Sequence, residues 1–288
     1  MNKVLVFIII LMIIFGGFFF SGGTFNVIFK PLELIIIFGA AICSLIISCS
    51  SSTLRLLLRQ TSMALKKSTY DSDYFVALLK LMYELVDISR KENMKVLDNH
   101  IENPADSKIF SRYPAIIEDK LTYNFLVDSF RQGILYQKKS MQLEGALEEE
   151  IEVLEAELNK PAEKLHTMAE AMPGIGILAA VMGIILTMQN LDASVVVIGQ
   201  NIAAALVGTF MGILGCYCMF GPLSSALHNI AEEQVSALNC VKGVVIKFSS
   251  GGAAGDCAHA GRKYIETEHK PSFIELEKLL KDRRASRN

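Results

Sequence analysis

Residues 173–189, PGIGILAAVMGIILTMQ, and residues 197–222, VIGQNIAAALVGTFMGILGCYCMFGP, decide the fold because neither stretch contains a charged side chain. A membrane-spanning helix needs about 20 mostly apolar residues. A charge in the middle of such a helix would lose its hydration, at a cost of a few kcal/mol. The two stretches therefore predict a pair of transmembrane helices, one between Glu170 and Asp192 and the other over residues 197–222.

Two further apolar stretches lie near the amino terminus, one from Val4 to about Ser21 and one from Leu34 to about Cys49. The first lacks a small-residue cleavage site and exceeds the usual length of a signal-peptide core, so we expect it to stay as a membrane helix. The chain has 288 residues, of which 51% are hydrophobic and 20% charged. These features predict an all-α polytopic membrane protein with four transmembrane helices and a helical cytoplasmic domain.

The orientation follows from the basic residues beside the predicted spans. Two spans separate the polar stretch 55–170 from the polar carboxyl-terminal region, so both lie on the same side of the membrane. The residues that crowd the exit of the second span are Arg55, Arg59, Lys66 and Lys67. The link over residues 190–196 has no Lys or Arg, although Lys30 stands in the other external loop. The positive-inside rule then predicts that both termini and the polar regions are cytoplasmic.

Helical periodicity continues through the polar regions. Apolar residues recur at helical spacing at Phe75, Leu78, Leu79, Met82, Leu85 and Val86, and again at Leu121, Phe125, Val127 and Phe130. The acidic stretch from Glu144 to Asn159 has Leu147, Ile151 and Leu154 as its apolar stripe. No stretch of useful length alternates with period two, so we predict no sheet.

The pattern divides the chain into four parts. Residues 1–54 hold the first two membrane helices, residues 55–170 a helical cytoplasmic domain, residues 171–222 the other two membrane helices, and residues 223–288 a cytoplasmic helical extension and tail.

None of the four predicted spans has an Asp, Glu, Lys, Arg or His near its middle. Pumps and proton-driven transporters place an ionisable group in the membrane to bind the ion. If this protein conducts protons, another chain must therefore supply the carboxylate.

The third and fourth spans instead carry small residues four positions apart. The pairs are Gly176 with Ala180, Ala179 with Gly183, and Ala204 with Gly208 and Gly212. Small residues at this spacing let helix backbones approach closely in lipid. Two interpretations stay open, namely packing between the third and fourth spans of one chain, or a ring of subunits that encloses a further helix.

Three more residues of these spans are candidates for a functional role. Pro173 opens the third span and Pro222 closes the fourth, which is ordinary helix punctuation, although a proline also permits a kink that a moving gate could use. Thr209 is a hydroxyl in an otherwise apolar stretch, and such a hydroxyl usually bonds the carbonyl four residues earlier.

Several motifs resemble those of the MotA family of flagellar stator subunits. The first is residues 101–104, Ile-Glu-Asn-Pro, followed by Ser107, Ile109-Phe110 and Tyr113-Pro114. The second is Gly261-Arg262-Lys263 followed by residues 270–277, Lys-Pro-Ser-Phe-Ile-Glu-Leu-Glu. The third and fourth spans, with Pro173, residues 179–183, residues 207–210 and residues 212–214, are also similar to those of the family. The resemblance extends over nearly the whole chain.

The resemblance implies a mechanism that agrees with the missing carboxylate. Subunits of this family form a pentameric ring around two single-span, peptidoglycan-anchored MotB-like chains, each of which brings one membrane Asp. Ion binding to that Asp changes its contacts with the ring, and the ring turns and pushes the rotor protein FliG. The family resides in the bacterial inner membrane and is driven by the proton motive force without a cofactor.

The resemblance also assigns roles to individual residues. Pro173 and Pro222 match the prolines that flank the ion site, and Thr209 matches a hydroxyl on the channel face. Ala180 stands where sodium-driven relatives carry Thr, and because a methyl group offers no oxygen to a sodium ion, we expect proton coupling.

Three charged residues match positions that contact the rotor. Arg90 matches the basic position, Asp98 stands where a Glu is usual, and Glu150 matches a position in the acidic helix. The neighbours Asn99 and His100 depart from the family pattern. Without the resemblance, each of the three charges would be interpreted as a solvated surface group.

The main alternative is an energy-transducing ring subunit of the ExbB/TolQ type, which typically has three spans. A stand-alone secondary transporter would need its own intramembrane charge or inverted repeats, and the sequence has neither. No phosphate-binding loop, metalloprotease motif or nucleophile elbow indicates an enzyme. The six cysteines lack metal-site spacing and are expected to be reduced, and a net charge of −2 does not suit a nucleic-acid partner.

Overall fold

The computed structural model describes residues 3–66, 68–136, 140–189 and 194–285. Within these residues the chain forms helices and turns and no strand, which agrees with the predicted all-α class. Lys67 of the basic cluster and most of the predicted external link, 190–193, lie outside the described residues.

Helices follow one another along the chain with short connections. They are α1 (Lys3–Phe20), α2 (Phe25–Ile28), α3 (Pro31–Ser48), α4 (Ser51–Ala64), α5 (Ser72–Lys91), α6 (Met94–Glu102), α7 (Pro114–Glu118), α8 (Lys120–Leu135), α9 (Ser140–Gln189), α10 (Val195–Leu214), α11 (Gly221–Ser249), α12 (Ala254–Arg262) and α13 (Phe273–Ala285). Two short 3₁₀ turns, Pro104–Asp106 and Phe110–Arg112, separate α6 from α7. A π-helical turn, Gly215–Phe220, joins α10 to α11.

The helices α3, α9 and the continuous stretch from α10 to α11 are long and apolar enough to cross a membrane, and the apolar helix Val4–Phe20 is shorter. The chain is therefore a helical membrane protein. The count of four spans is not settled by these lengths and stays a prediction.

The described chain divides into two compact units, each built from two separate stretches of sequence. The first unit comprises Met1–Lys67 and Leu158–Ile230, and the second comprises Ser68–Glu157 and Ala231–Asn288. The long helices α9 and α11 each contribute residues to both units. The assignment of the predicted stretches 1–54, 55–170, 171–222 and 223–288 to membrane and cytoplasm stays a prediction.

The first unit buries a narrow apolar core and leaves much apolar surface exposed. Its buried residues include Ile37 and Ala41 of α3, Met172 of α9 and Leu214 of α10. Large apolar side chains such as Ile47, which is 86% exposed, cover its outside. Such a surface would be costly in water and suits contact with lipid or with another apolar helix.

The second unit is built around α5. The six residues predicted to form its apolar face, Phe75, Leu78, Leu79, Met82, Leu85 and Val86, are all buried. Asp71 caps the first turn by accepting a hydrogen bond from the Tyr74 amide at 3.1 Å. Helices α6, α7 and α12 pack against α5. Of the predicted stripe in the acidic helix, Leu147 and Ile151 are buried and Leu154 is half-buried.

Two predicted helix ends are wrong. Pro173 does not open a helix, because α9 begins at Ser140 and continues through both Pro161 and Pro173. Pro222 does not end a helix either, because it is the second residue of α11, directly after the π-helical turn. Both prolines lack an amide hydrogen, but neighbouring packing in a membrane helix tolerates the lost hydrogen bond, and Pro is well accepted in a first helical turn.

Candidate functional site

The glycines of α9 and α10 bring the two helix backbones into direct contact. A methyl group at Gly176 would lie 2.8 Å from the Gly208 carbonyl oxygen, and one at Gly212 would lie 2.6 Å from the Met172 carbonyl oxygen. At Gly183 it would lie 3.2 Å from the Ala205 methyl carbon. Gly176 and Gly212 therefore have no room for a side chain, and at Gly183 the neighbouring Ala205 would have to shift by a few tenths of an ångström. For these glycines the structure shows packing between the two helices of one chain.

The four residues of the predicted ion pathway lie beside this contact or at the π-helical turn. Ala180 and Thr209 are half-buried, on α9 and α10. A methyl group at Gly208 would lie 3.6 Å from the Ala180 amide nitrogen, and one at Gly176 would lie 3.4 Å from the Thr209 Cα. Pro173 is half-buried within α9, and Pro222 is exposed at the start of α11.

The π-helical turn before Pro222 is a feature that the sequence did not reveal. A methyl group at Gly221 would lie 2.7 Å from the Cys216 carbonyl oxygen, so the turn requires a residue without a side chain at that position. Single π-helical turns are often found at functional sites in helices. Glycine and proline in succession after an apolar stretch were the only local signal.

The predicted rotor-contacting residues all belong to the second unit. Asp98 is exposed on α6, and Glu150 is half-buried on α9. Arg90 is exposed in the last turn of α5, and its Nη2 donates a hydrogen bond to the Gly252 carbonyl oxygen at 3.0 Å. Arg90 therefore has an intramolecular partner that the sequence did not predict.

Arg131 forms ion pairs with two other acidic residues near the acidic candidates. Its Nε donates to Glu102 Oε1 at 2.7 Å, and its Nη1 donates to Asp128 Oδ1 at 2.8 Å. The hydrogen bond that Arg131 donates to Glu102 raises the pKa of Arg131, and the charge of Asp98 adds to that effect. Burial and the nearby Asp128 raise the pKa of Glu150 above its ordinary value. The structure thus brings Asp98 and Glu150 into one charged cluster.

Two buried carboxylates hold the motif-bearing segment that precedes α8. Glu84 of α5 accepts hydrogen bonds from Arg112 Nη1 at 2.9 Å and from the Tyr113 hydroxyl at 2.6 Å. Asp119 Oδ2 accepts hydrogen bonds from the hydroxyl groups of Tyr70, Tyr74 and Thr122. Burial, and after it the charge of Asp119, raises the pKa of Tyr74. The contact with Glu84 gives Tyr113 of the first motif a structural reason for its identity.

The neighbours of Asp98 that depart from the family pattern form hydrogen bonds with residues that follow them closely in the chain. The His100 Nδ1 lies 2.9 Å from the Ser107 hydroxyl oxygen, and Asn99 Oδ1 accepts a hydrogen bond from Asn103 Nδ2.

The carboxyl-terminal motif also contains local hydrogen bonds. Ser272 and Glu275 form a capping box at the start of α13, since each accepts a hydrogen bond from the other's backbone amide.

Among the described residues, no group of three or more His, Cys, Asp or Glu side chains could hold a metal ion. The long apolar helices and the charged helical unit define a helical membrane protein. Comparison with known proteins identifies the family to which the chain belongs.

Two family profiles match the chain. "Motility protein A N-terminal" matches residues 4–93, and "MotA/TolQ/ExbB proton channel family" matches residues 118–239. The chain is 41% identical to the chemotaxis protein LafT of Vibrio parahaemolyticus over 260 residues, which cover 90% of this chain and 91% of LafT. It is 34% identical to motility protein A of Escherichia coli, over 91% of this chain and 88% of that protein. The chain belongs to the MotA/TolQ/ExbB proton channel family.

Solved structures of stator complexes share the fold. The C. jejuni MotAB structure matches with a TM-score of 0.73 and 19% identity, over 92% of this chain and 95% of that chain. The MotAB stator complex of Bacillus subtilis matches with a TM-score of 0.67 and 19% identity, over 90% of this chain and 94% of that chain.

The relatives confirm the prediction of a flagellar stator subunit and do not favour the ExbB/TolQ alternative. They are motility proteins of a proton channel family, which also confirms the non-enzymatic role.

Proposed function

We propose that this chain is the channel-forming and torque-generating subunit of a bacterial flagellar stator, with four transmembrane helices in the inner membrane and both termini in the cytoplasm. One observation carries the proposal. The chain belongs to a proton channel family, yet none of its predicted spans has a titratable side chain near its middle. The proton-binding carboxylate must therefore come from a partner.

The partner is a MotB-like, single-span, peptidoglycan-anchored subunit with a membrane Asp. The solved structures that share this fold are MotAB complexes, which supports such a partner and an oligomer. We propose a pentamer of this chain around two copies of the partner. Protonation of the Asp would remove the cost of holding a charge against apolar helices and so change which arrangement of the ring is stable. Purification of the two chains together, with the copies counted by mass, tests the stoichiometry.

The coupling ion is the proton. Ala180 supports this assignment because its methyl group offers no oxygen ligand to replace the hydration shell of sodium. Pro173, Thr209 and Pro222 complete the proposed ion pathway, and no cofactor takes part. Cells that swim with this stator should keep their speed when sodium is replaced by potassium and should stop when a protonophore is added. The opposite pattern would contradict proton coupling.

Three charged residues of the second unit contact the rotor protein FliG. Arg90 supplies a cation, and Asp98 and Glu150 supply anions, all three on the surface or half-buried. Charges at such positions steer a partner and set its orientation more than they add affinity.

Charge reversal tests the rotor contact. Arg90→Glu and Asp98→Lys should each reduce swimming strongly. A FliG variant with one reversed charge should restore part of the swimming of the stator variant whose charge it now complements, and not of the other. Lys95→Glu, on the exposed surface of the same helix as Asp98, serves as the control and should have little effect. Rotor contact at these residues is refuted if neither reversal alters torque.

A further inference from the structure

We infer that the turn between α11 and α12, centred on Gly251 and Gly252, positions Arg90 for its contact with the rotor. This inference rests on the proposed function, in which Arg90 meets FliG. It adds a positioning role for two glycines to which sequence comparison gave none. Both glycines and Arg90 belong to the second unit.

The turn is a Schellman motif that ends α11. The Gly251 amide donates to the Phe248 carbonyl and the Gly252 amide donates to the Lys247 carbonyl, each at 2.9 Å. Gly251 has a φ of +85°, a left-handed conformation that residues with a Cβ rarely adopt. The conformation of the turn therefore depends on glycine at position 251.

Gly252 is restricted for a different reason. A methyl group at this position would lie 2.8 Å from both the Lys247 carbonyl oxygen and the Lys247 Cγ, so the backbone would have to move. The Gly252 carbonyl oxygen accepts the hydrogen bond from Arg90 Nη2 and also faces the Cys257 Sγ at 3.6 Å. These two contacts hold this carbonyl group in its direction.

A fixed acceptor restricts a long, flexible side chain. A free arginine samples many rotamers and loses much of that freedom when it binds a partner. The Gly252 carbonyl engages one Nη2 donor and leaves the other donors of the planar guanidinium for an acidic partner, which can accept two parallel hydrogen bonds. The backbone that carries Arg90 is also held in place, because Ile88 is buried and α5 packs against α12.

A double-mutant cycle tests the inference in the full chain, expressed with its stator partner in cells that lack their own stator. The readout is torque per stator unit, taken from the speed steps of a bead on a single flagellum, so that differences in the amount of complex cancel. Gly251→Ala and Gly252→Ala should lower this torque several-fold, towards the value of Arg90→Ala. In the Arg90→Ala background the same changes should have no further effect.

Two further variants separate positioning from a general defect. Gly251→Asn should keep most of the torque, because Asn tolerates the left-handed conformation far better than Ala. Gly255→Ala is the matched control, since a methyl group there meets no atom within 4 Å, and it should behave as the parent.

The outcomes are distinguishable. An equal fold-loss for Gly252→Ala with and without Arg90 would overturn the positioning role while leaving the proposed function intact. Unchanged torque in Arg90→Ala would instead remove Arg90 from the proposed rotor contact, and the positioning inference would fall with it.

Discussion

Glu84 is a carboxylate with 1% exposure whose hydrogen bonds come from Arg112 and Tyr113. Glu84→Ala should destabilise the protein by about 2–3 kcal/mol, because buried hydrogen bonds to a charged group are lost. Thermal unfolding of the purified complex measures the change. The control Glu118→Ala, at an exposed position, should unfold at the parental temperature. Equal melting temperatures of Glu84→Ala and the parent would show that the hydrogen bonds of Glu84 contribute nothing to stability.

Glu150 gives a prediction with a definite pH dependence. Its pKa is raised by burial and by Asp128, so the folded state disfavours the charged form. The resulting loss of stability sets in as the pH rises above the ordinary carboxyl pKa, is complete above the raised pKa, and is absent at lower pH. Glu150→Gln should therefore melt at a higher temperature than the parent at neutral pH, and the difference should vanish in acid.

The same change should weaken rotor contact, so that stability and torque move in opposite directions. Glu149→Gln, on the exposed neighbour of Glu150, provides the control and should alter neither quantity. A Glu150→Gln variant that melts earlier than the parent at neutral pH would contradict the assigned cost of burying this charge.

At the scale of the element, the contact between α9 and α10 gives the sharpest expectation. Gly212→Ala should destabilise the protein by about 1–3 kcal/mol, since its methyl group would meet the Met172 carbonyl oxygen and force the helices apart. Gly199→Ala lies on the same helix with no atom within 4 Å and should be tolerated. The amount of folded complex in membranes and its melting temperature are the measurements. Equal behaviour of the two variants would show that this close approach is unimportant.

Helices were predicted correctly where apolar residues recur at helical spacing, and their bounds were missed where one helix passes from polar to apolar residues or changes its geometry. The six apolar positions of α5 were identified because burial imposes a helical period on one face. The acidic helix from Glu144 was predicted, but its continuation into the third span as the single helix α9 was not, because the change from polar to apolar residues near Glu170 was interpreted as a boundary, and a helix can continue through it. The π-helical turn after Leu214 has no periodic signal of its own.

The candidate site was predictable in part for a related reason. Arg90, Asp98 and Glu150 were proposed from the family resemblance, and their rotor contact stays a prediction; the structure places all three on the surface or half-buried. The partners Arg131 and Gly252 were missed, because the pairings of Arg131 with Glu102 and of Arg90 with Gly252 join residues 29 and 162 positions apart. A local sequence pattern carries no information about contacts between residues so far apart in the chain.

At the scale of the whole molecule, the prediction concerns conduction. Reconstituted alone in lipid vesicles, the chain should carry no proton current, because its predicted spans offer no titratable side chain near their middle. Reconstituted with its MotB-like partner, it should acidify or alkalinise the vesicles in the direction of the imposed gradient. A partner with Asn in place of the membrane Asp is the control and should give no proton current. Saturable proton flux from the chain alone would refute the inference that a partner supplies the proton-binding carboxylate.

The glycine contact between α9 and α10 also limits how this lineage can diverge. Gly176 and Gly212 admit no larger residue without displacing a backbone atom, whereas Ala180 keeps part of its surface free. Under the role in ion selectivity proposed for Ala180, drift towards another ion should therefore begin at that position, while the glycines stay unchanged. Redesign of the proposed ion site has room at that alanine and almost none at Gly176, one helical turn away.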